Sequence, residues 1–163
     1  MIRIMFVCHG NICRSPMAEF ILKDMLRQRG WENRCRVASC ATSTEEIWGG
    51  HGSPMYPPAK AMLSAHGIPY TEREAVQLRR SDYSEYDLFI GMDSANIRNM
   101  ERMLGGDPQG KVRRMMDFTD RGGDVADPWY SRNFEDAYRD IRDGCEGILR
   151  WIAETDRCHP SVD

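Results

Sequence analysis

Apolar residues in this chain fall into two alternating patterns: short continuous runs, and longer stretches spaced by three and four positions. Ile2 to Val7 is a β-prone run interrupted by Arg3 and followed by Gly10 and Asn11. A short apolar run bounded by turn formers predicts a buried strand. From Ser15-Pro16 onward, Ala18, Ile21, Leu22, Met25 and Leu26 recur at helical spacing, and Gly30 stops the pattern. Further strands are predicted over Arg36 to Cys40, Asp87 to Met92 and Lys111 to Met115. Helices are predicted over Pro58 to His66, Ser94 to Met103 and Phe134 to Ile152, with Gly67 and Gly105 capping the first two.

Strands alternating with helices predict an α/β fold: a parallel sheet covered on both faces, with any site outside the carboxyl ends of its strands. The loop after the first strand leaves one such end. Two Gly-rich stretches, Trp48 to Gly52 and Arg121 to Asp124, read as mobile surface loops. With 163 residues, 41% of them apolar, and neither repeat nor linker, residues 1–163 are expected to form one domain.

The formal charge of −3, from 22 basic and 25 acidic residues without a long single-sign run, argues against nucleic acid as a partner. Met1 to Val7 is shorter than a signal-peptide core and far shorter than a membrane span, so a cytoplasmic protein without membrane attachment is expected. In that compartment the six cysteines (8, 13, 35, 40, 145 and 158) are expected to be reduced. They show no Cys-x-x-Cys spacing, and no His or carboxylate cluster has ligand spacing, so neither metal nor cofactor is expected.

The chemistry lies in Val7-Cys8-His9-Gly10-Asn11-Ile12-Cys13-Arg14-Ser15-Pro16, between a predicted strand and a helix N-terminus. Backbone amides in such a turn, with the positive end of the helix behind them, form an anion cradle suited to a phosphate ester. Gly10 is expected to take a backbone angle that other residues resist, and Asn11 is the next most tolerant residue. Cys8 opens the loop and Arg14 closes it, which predicts a thiol at the bottom and a guanidinium reaching over the rim, where its fork matches two phosphate oxygens. A helix N-terminus and a nearby cation favour the reactive thiolate. Ser15 has two available jobs: a hydrogen bond to that thiolate, or the helix N-cap with Pro16 at the first helical position. A lone buried Cys is usually a small core residue; nucleophile, cradle and clamp in one string argue for function.

This string resembles the signature of the low-molecular-weight protein tyrosine phosphatases. The likeness continues through Ser39-Cys40-Ala41-Thr42-Ser43, His66-Gly67-Ile68, Met92-Asp93-Ser94-Ala95-Asn96 and Asp127-Pro128-Trp129-Tyr130. It implies a three-layer, flavodoxin-like or Rossmann-like fold with a four-stranded parallel sheet flanked by helices, and a phosphate-binding loop (His9, Gly10, Asn11, Ile12, Cys13, Ser15) after the first strand. It also implies hydrolysis of phosphotyrosine in proteins through a phosphocysteine on Cys8, with Arg14 binding phosphate and Asp127 as general acid and base. His66 and Asp93 would support the loop, and Ile12, Trp48, Trp129 and Tyr130 would line the substrate pocket. Cys13 would either capture an oxidised Cys8 as a disulfide or fill space beneath the loop. The partners implied are a phosphotyrosine protein and inorganic phosphate as product, and the assembly a monomer or weak dimer.

The stretch Trp48 to His51 departs from the family pattern, so either Trp48 or Tyr56 supplies the pocket wall. A protein-arginine phosphatase on the same scaffold would carry Thr in place of Ile12, whose apolar side chain suits a flat aromatic leaving group. A thioredoxin-linked arsenate reductase would need relay cysteines near residues 80 to 90, which the chain lacks. A non-catalytic phosphate-binding scaffold would have lost Cys8, Arg14 or Asp127.

Overall fold

The computed structural model describes residues 1–158. Strand β1 (Ile2–Cys8) leads through the Cys8 loop into helix α1 (Arg14–Gln28), and β2 (Cys35–Ala41) follows. A small hairpin of β3 (Ile47–Trp48) and β4 (His51–Gly52) precedes helices α2 (Pro57–Ala65) and α3 (Asp82–Glu85). Then come β5 (Leu88–Gly91), α4 (Ser94–Leu104), β6 (Val112–Arg114), a 3-10 turn over Met115–Phe118, α5 (Pro128–Ser131) and the long α6 (Phe134–Cys158).

The main sheet has the order β2-β1-β5-β6, and every neighbouring pair is parallel. It is the four-stranded, three-layer α/β architecture expected. Side chains alternate across a strand, so β1 feeds two cores. Ile4, Phe6 and Cys8 pack with α1, α2 and α6 on one face. Met5 and Val7 pack with Phe89, Met100 and Leu104 on the other. Burial on both faces is why β1 reads as a continuous apolar run. Strand β1 is also central, with Cys8 in register opposite Ala41 and Val7 opposite Gly91, so the Cys8 loop leaves the carboxyl edge at the middle of the sheet.

The expected elements are present with ends shifted by a few residues; α6 runs on past Ile152 to Cys158. The stretch Trp48 to Gly52, expected as a mobile loop, is an antiparallel hairpin pairing Ile47 with Gly52 and Trp48 with His51. Gly49 and Gly50 close it with φ of 54° and 81°, the two positive angles of a type I′ hairpin turn. Gly52 lies so near the following chain that a Cβ there would sit 1.9 Å from the Ala75 carbonyl oxygen. The second Gly-rich stretch is likewise tied down: Arg121 pairs with Asp140 and Asp143 of α6, and Asp124 with Arg114. Among the described residues, no helix is long and apolar enough to cross a membrane.

Candidate active site

The chain turns from β1 into α1 with its carbonyls fastened outward. Thr42 N donates to Cys8 O (3.0 Å), Ser43 N to His9 O (2.9 Å), Tyr56 N to Ile12 O (2.8 Å) and Met17 N to Cys13 O (3.1 Å). Arg73 Nη1 donates to Asn11 O at 2.7 Å. With the carbonyls engaged, the loop amides remain free for an anion at the α1 N-terminus. The left-handed residue is Asn11, at φ 57°. Gly10, expected to take such an angle, does not. Its missing side chain instead admits Glu46, whose Cγ would be 3.3 Å from a Cβ at Gly10. Cys13, and not Ser15, is the N-cap residue of α1.

That leaves Ser15 free for its other job. Its Oγ lies 3.0 Å from Cys8 Sγ. Asn11 Nδ2 donates to Ser15 Oγ (2.8 Å) and to Ser39 Oγ (3.0 Å), and Ser39 donates to Glu19 Oε1 at 2.7 Å. The Asn11 Oδ1 accepts from Val76 N at 3.1 Å and from Arg73 Nη2. Asn11 and Ser15 are wholly buried, so these bonds replace all the water the groups gave up.

Arg14 is 3% exposed. It does not reach over the rim, as expected, but lies along the wall, donating to Asp93 Oδ2 (2.8 Å), Val125 O (3.0 Å) and Asp127 Oδ2 (3.4 Å). Burial alone would lower its pKa, yet Cys8, Asp127 and Asp93 outweigh it and hold the guanidinium above its ordinary value. The cation is permanent. Asp93 also N-caps α4 through a capping box with Asn96, so one carboxylate aims Arg14 and starts a helix. Asp127 N-caps α5 through Trp129 N at 3.0 Å, which points its other oxygen toward Arg14.

Cys8, Arg14, Asp93 and Asp127 border one cavity of about 500 Å³. His9, Gly10, Ile12 and Cys13 of the loop line it too, together with Tyr56 and Phe134, and the exposed Trp129 and Tyr130 mark its mouth. The Tyr56 ring sits 6.0 Å from both Trp129 and Phe134, so three aromatics form a connected wall. Glu45 and Glu46 form part of the remaining rim, with Glu45 3.0 Å from the His9 ring. Trp48 is not on the lining; it is 64% exposed on the hairpin. Tyr56 supplies the wall. His66 does not support the loop: it bonds to Glu135 (3.1 Å) and stacks on Tyr138 (3.7 Å between ring centres), both on α6.

Burial, with the nearby Cys8, pushes the Cys13 thiol up to about 12. Burial also raises Cys35, Cys40 and Cys145; the side chain of Cys158 lies outside the described residues. Residues that sequence reading missed are Ser39, Glu19 and Arg73 in the network and Phe134 on the wall. Ser39 stood in a quoted segment, but nothing local marks Arg73 or Glu19.

Comparison with known proteins identifies the family and the fold. The family model for low molecular weight phosphotyrosine protein phosphatase matches residues 3–157. The low molecular weight protein-tyrosine-phosphatase YfkJ of Bacillus subtilis is 36% identical over 155 residues, covering 93% of this chain and 96% of that protein. Its crystal structure superposes with a TM-score of 0.86 at 35% identity, over 95% of this chain and 96% of that one. SP-PTP of Streptococcus pyogenes, also a low molecular weight protein tyrosine phosphatase, superposes with a TM-score of 0.80 at 34% identity, over 94% and 93% of the two chains. A family model spanning nearly the whole chain, and relatives above 30% identity over nearly their whole length, leave one conclusion: the chain belongs to the low molecular weight protein tyrosine phosphatase family.

Proposed function

We propose that this chain hydrolyses phosphotyrosine in proteins in two steps through a phosphocysteine on Cys8. The observation that carries the reading is the meeting of Cys8, Arg14 and Asp127 on one cavity with an aromatic mouth. The loop amides and Arg14 neutralise the phosphate. Cys8 Sγ attacks phosphorus as the ester P–O bond breaks, and Asp127, entering protonated, gives its proton to the leaving phenolate. Asp127, now a carboxylate, takes a proton from the water that attacks the phosphocysteine, releasing inorganic phosphate and the Cys8 thiolate.

Each role has a physical support. Ser15 at 3.0 Å gives the sulfur a hydroxyl partner, and Arg14 is held rigid by Asp93 and Val125, which pre-organises it for the charge that builds on phosphate. Ile12, Tyr56 and Trp129 offer apolar and aromatic contact to a flat ring.

Cys13 lies in the same loop, where formation of a Cys8–Cys13 disulfide under peroxide would protect Cys8 from irreversible oxidation. The functional test is hydrolysis of an aryl phosphate and of phosphotyrosine peptides by wild type and Cys8→Ser. Loss of turnover in the variant is expected; equal activity, or turnover of phosphoarginine peptides as fast as phosphotyrosine ones, sinks the proposal.

A further inference from the structure

The hydrogen bonds around Asn11 have a direction. The side-chain amide can sit in either of two orientations that exchange Oδ1 and Nδ2, and its neighbours decide between them. On one side lie Arg73 Nη2 and Val76 N, which can only donate. On the other lie the hydroxyls of Ser15 and Ser39. Ser39 gives its proton to Glu19 and so has only lone pairs to offer Asn11. Both sides therefore require Oδ1 toward Arg73 and Nδ2 toward the serines. Because Nδ2 donates to Ser15 Oγ, the Ser15 proton is left for Cys8 Sγ at 3.0 Å. With the amide reversed, Ser15 would turn its proton to Oδ1, and the sulfur would lose its donor.

Resting on the reading of Cys8 as nucleophile, we infer that Arg73 is a positioning residue: its fork on Asn11 O and Oδ1 orients the amide, and the amide directs the Ser15 proton onto the Cys8 sulfur. The same fork secures the left-handed backbone of Asn11, which a non-glycine residue keeps only when its surroundings hold it. Arg73 is 62 residues from Asn11 in the chain and is half-buried; desolvation lowers its pKa, against a smaller upward pull from Glu19 and Cys8. A charge-assisted donor polarises a buried hydrogen-bond chain more than a neutral one does. Arg73 reaches the Cys8 sulfur through Asn11 and Ser15 and also directly as a nearby charge; the Ser15→Ala background separates the two.

The test is the rate at which neutral iodoacetamide alkylates Cys8, located by mass spectrometry, in a cycle of Arg73→Met, Ser15→Ala and the double variant. Arg73→Met is expected to slow alkylation roughly tenfold, the lower end of what a charge-assisted hydrogen bond supplies. In the Ser15→Ala background the same change is expected to have less than about a twofold effect, because the relay is already cut. Arg73→Lys, which keeps the cation and a donor for Oδ1, should recover most of the rate; if the methionine variant does not melt cooperatively, Arg73→Ala carries the test with the same expected loss. Wild-type alkylation in Arg73→Met, or the same tenfold loss with and without Ser15, would overturn the relay. Alkylation needs no turnover, so the outcome stands apart from the phosphatase reading, which is decided separately by turnover of aryl phosphates and phosphopeptides in wild type and Cys8→Ser.

Discussion

Replacing Asp127 by asparagine removes a proton donor while sparing nearly everything else the residue does. Its Oδ1 accepts the Trp129 amide as the N-cap of α5, and asparagine caps as well as aspartate, so that bond survives. Its Oδ2 meets Arg14 at 3.4 Å on a side chain one-third exposed. Arg14 keeps its shorter bonds to Asp93 and Val125, so the folding stability should change by less than about 1 kcal/mol. The catalytic cost is larger: a positioned general acid contributes about 10²- to 10⁴-fold, or about 3 to 5 kcal/mol of barrier. That cost falls on the leaving group, since a phenolate that is stable by itself needs no proton. The assay is kcat across aryl phosphates of graded leaving-group acidity, with the burst phase resolved because Asp127 also serves the second step. The variant should show a steeper dependence on leaving-group acidity, with the heaviest loss on poor leaving groups. A uniform loss across the series, with unchanged slope and unchanged burst, would refute the assignment of Asp127 as acid.

Three further outcomes follow from the same geometry. Arg14→Lys keeps the charge but gathers its donors on one nitrogen, where Arg14 reaches Val125 and Asp93 from separate nitrogens and still has a fork for the phosphate; kcat/KM for an aryl phosphate should fall about 10²-fold or more, with inorganic phosphate inhibiting less well. Asp107 accepts from Tyr83 Oη and from the amides of Lys111 and Val112 at the start of β6; burial pushes its pKa up, but these bonds win and hold it below the ordinary carboxylate value. A depressed folded-state pKa means that the stabilisation is present above the unfolded value and lost as pH falls through the folded one, so chemical denaturation below about pH 4 should show a shallower acid loss in Asp107→Asn. Glu45 and Glu46 on the cavity rim should favour basic residues beside the phosphotyrosine: reversing both to lysine is expected to move the kcat/KM ratio between Lys-flanked and Glu-flanked peptides several-fold toward the acidic one, at about 0.2 to 1 kcal/mol for each exposed charge, and to do so less at high salt.

The hairpin shows where reading by composition went astray. Gly49 and Gly50 suggested mobility, but two successive glycines also make the tight turn that the structure contains. Local sequence admits both outcomes; the choice came from the segment around Ala75, against which Gly52 and Ser53 dock. Trp48 failed as a pocket residue for the same reason, since pairing with His51 carries it onto the exposed hairpin. His66 was drawn to the loop by its neighbours in sequence, yet α6 crosses α2 and offers it the Tyr138 ring and Glu135.

What the chain's own pattern determined was everything encoded within a few residues. The apolar run of β1, the periodic face of α1 and the string from Cys8 to Ser15 mark out strand, anion-binding turn and helix, because backbone angles and helix ends respond to near neighbours; the turn's final shape is then held by Thr42, Ser43, Tyr56 and Arg73. Tertiary structure decided which groups meet that turn. Arg73, Asp93 and Asp127 lie 62, 79 and 113 residues from their partners on the loop or Arg14, and parallel strands joined by crossovers bring them to one sheet edge. A buried polar group takes whatever partner packing delivers, and packing is a property of the whole fold.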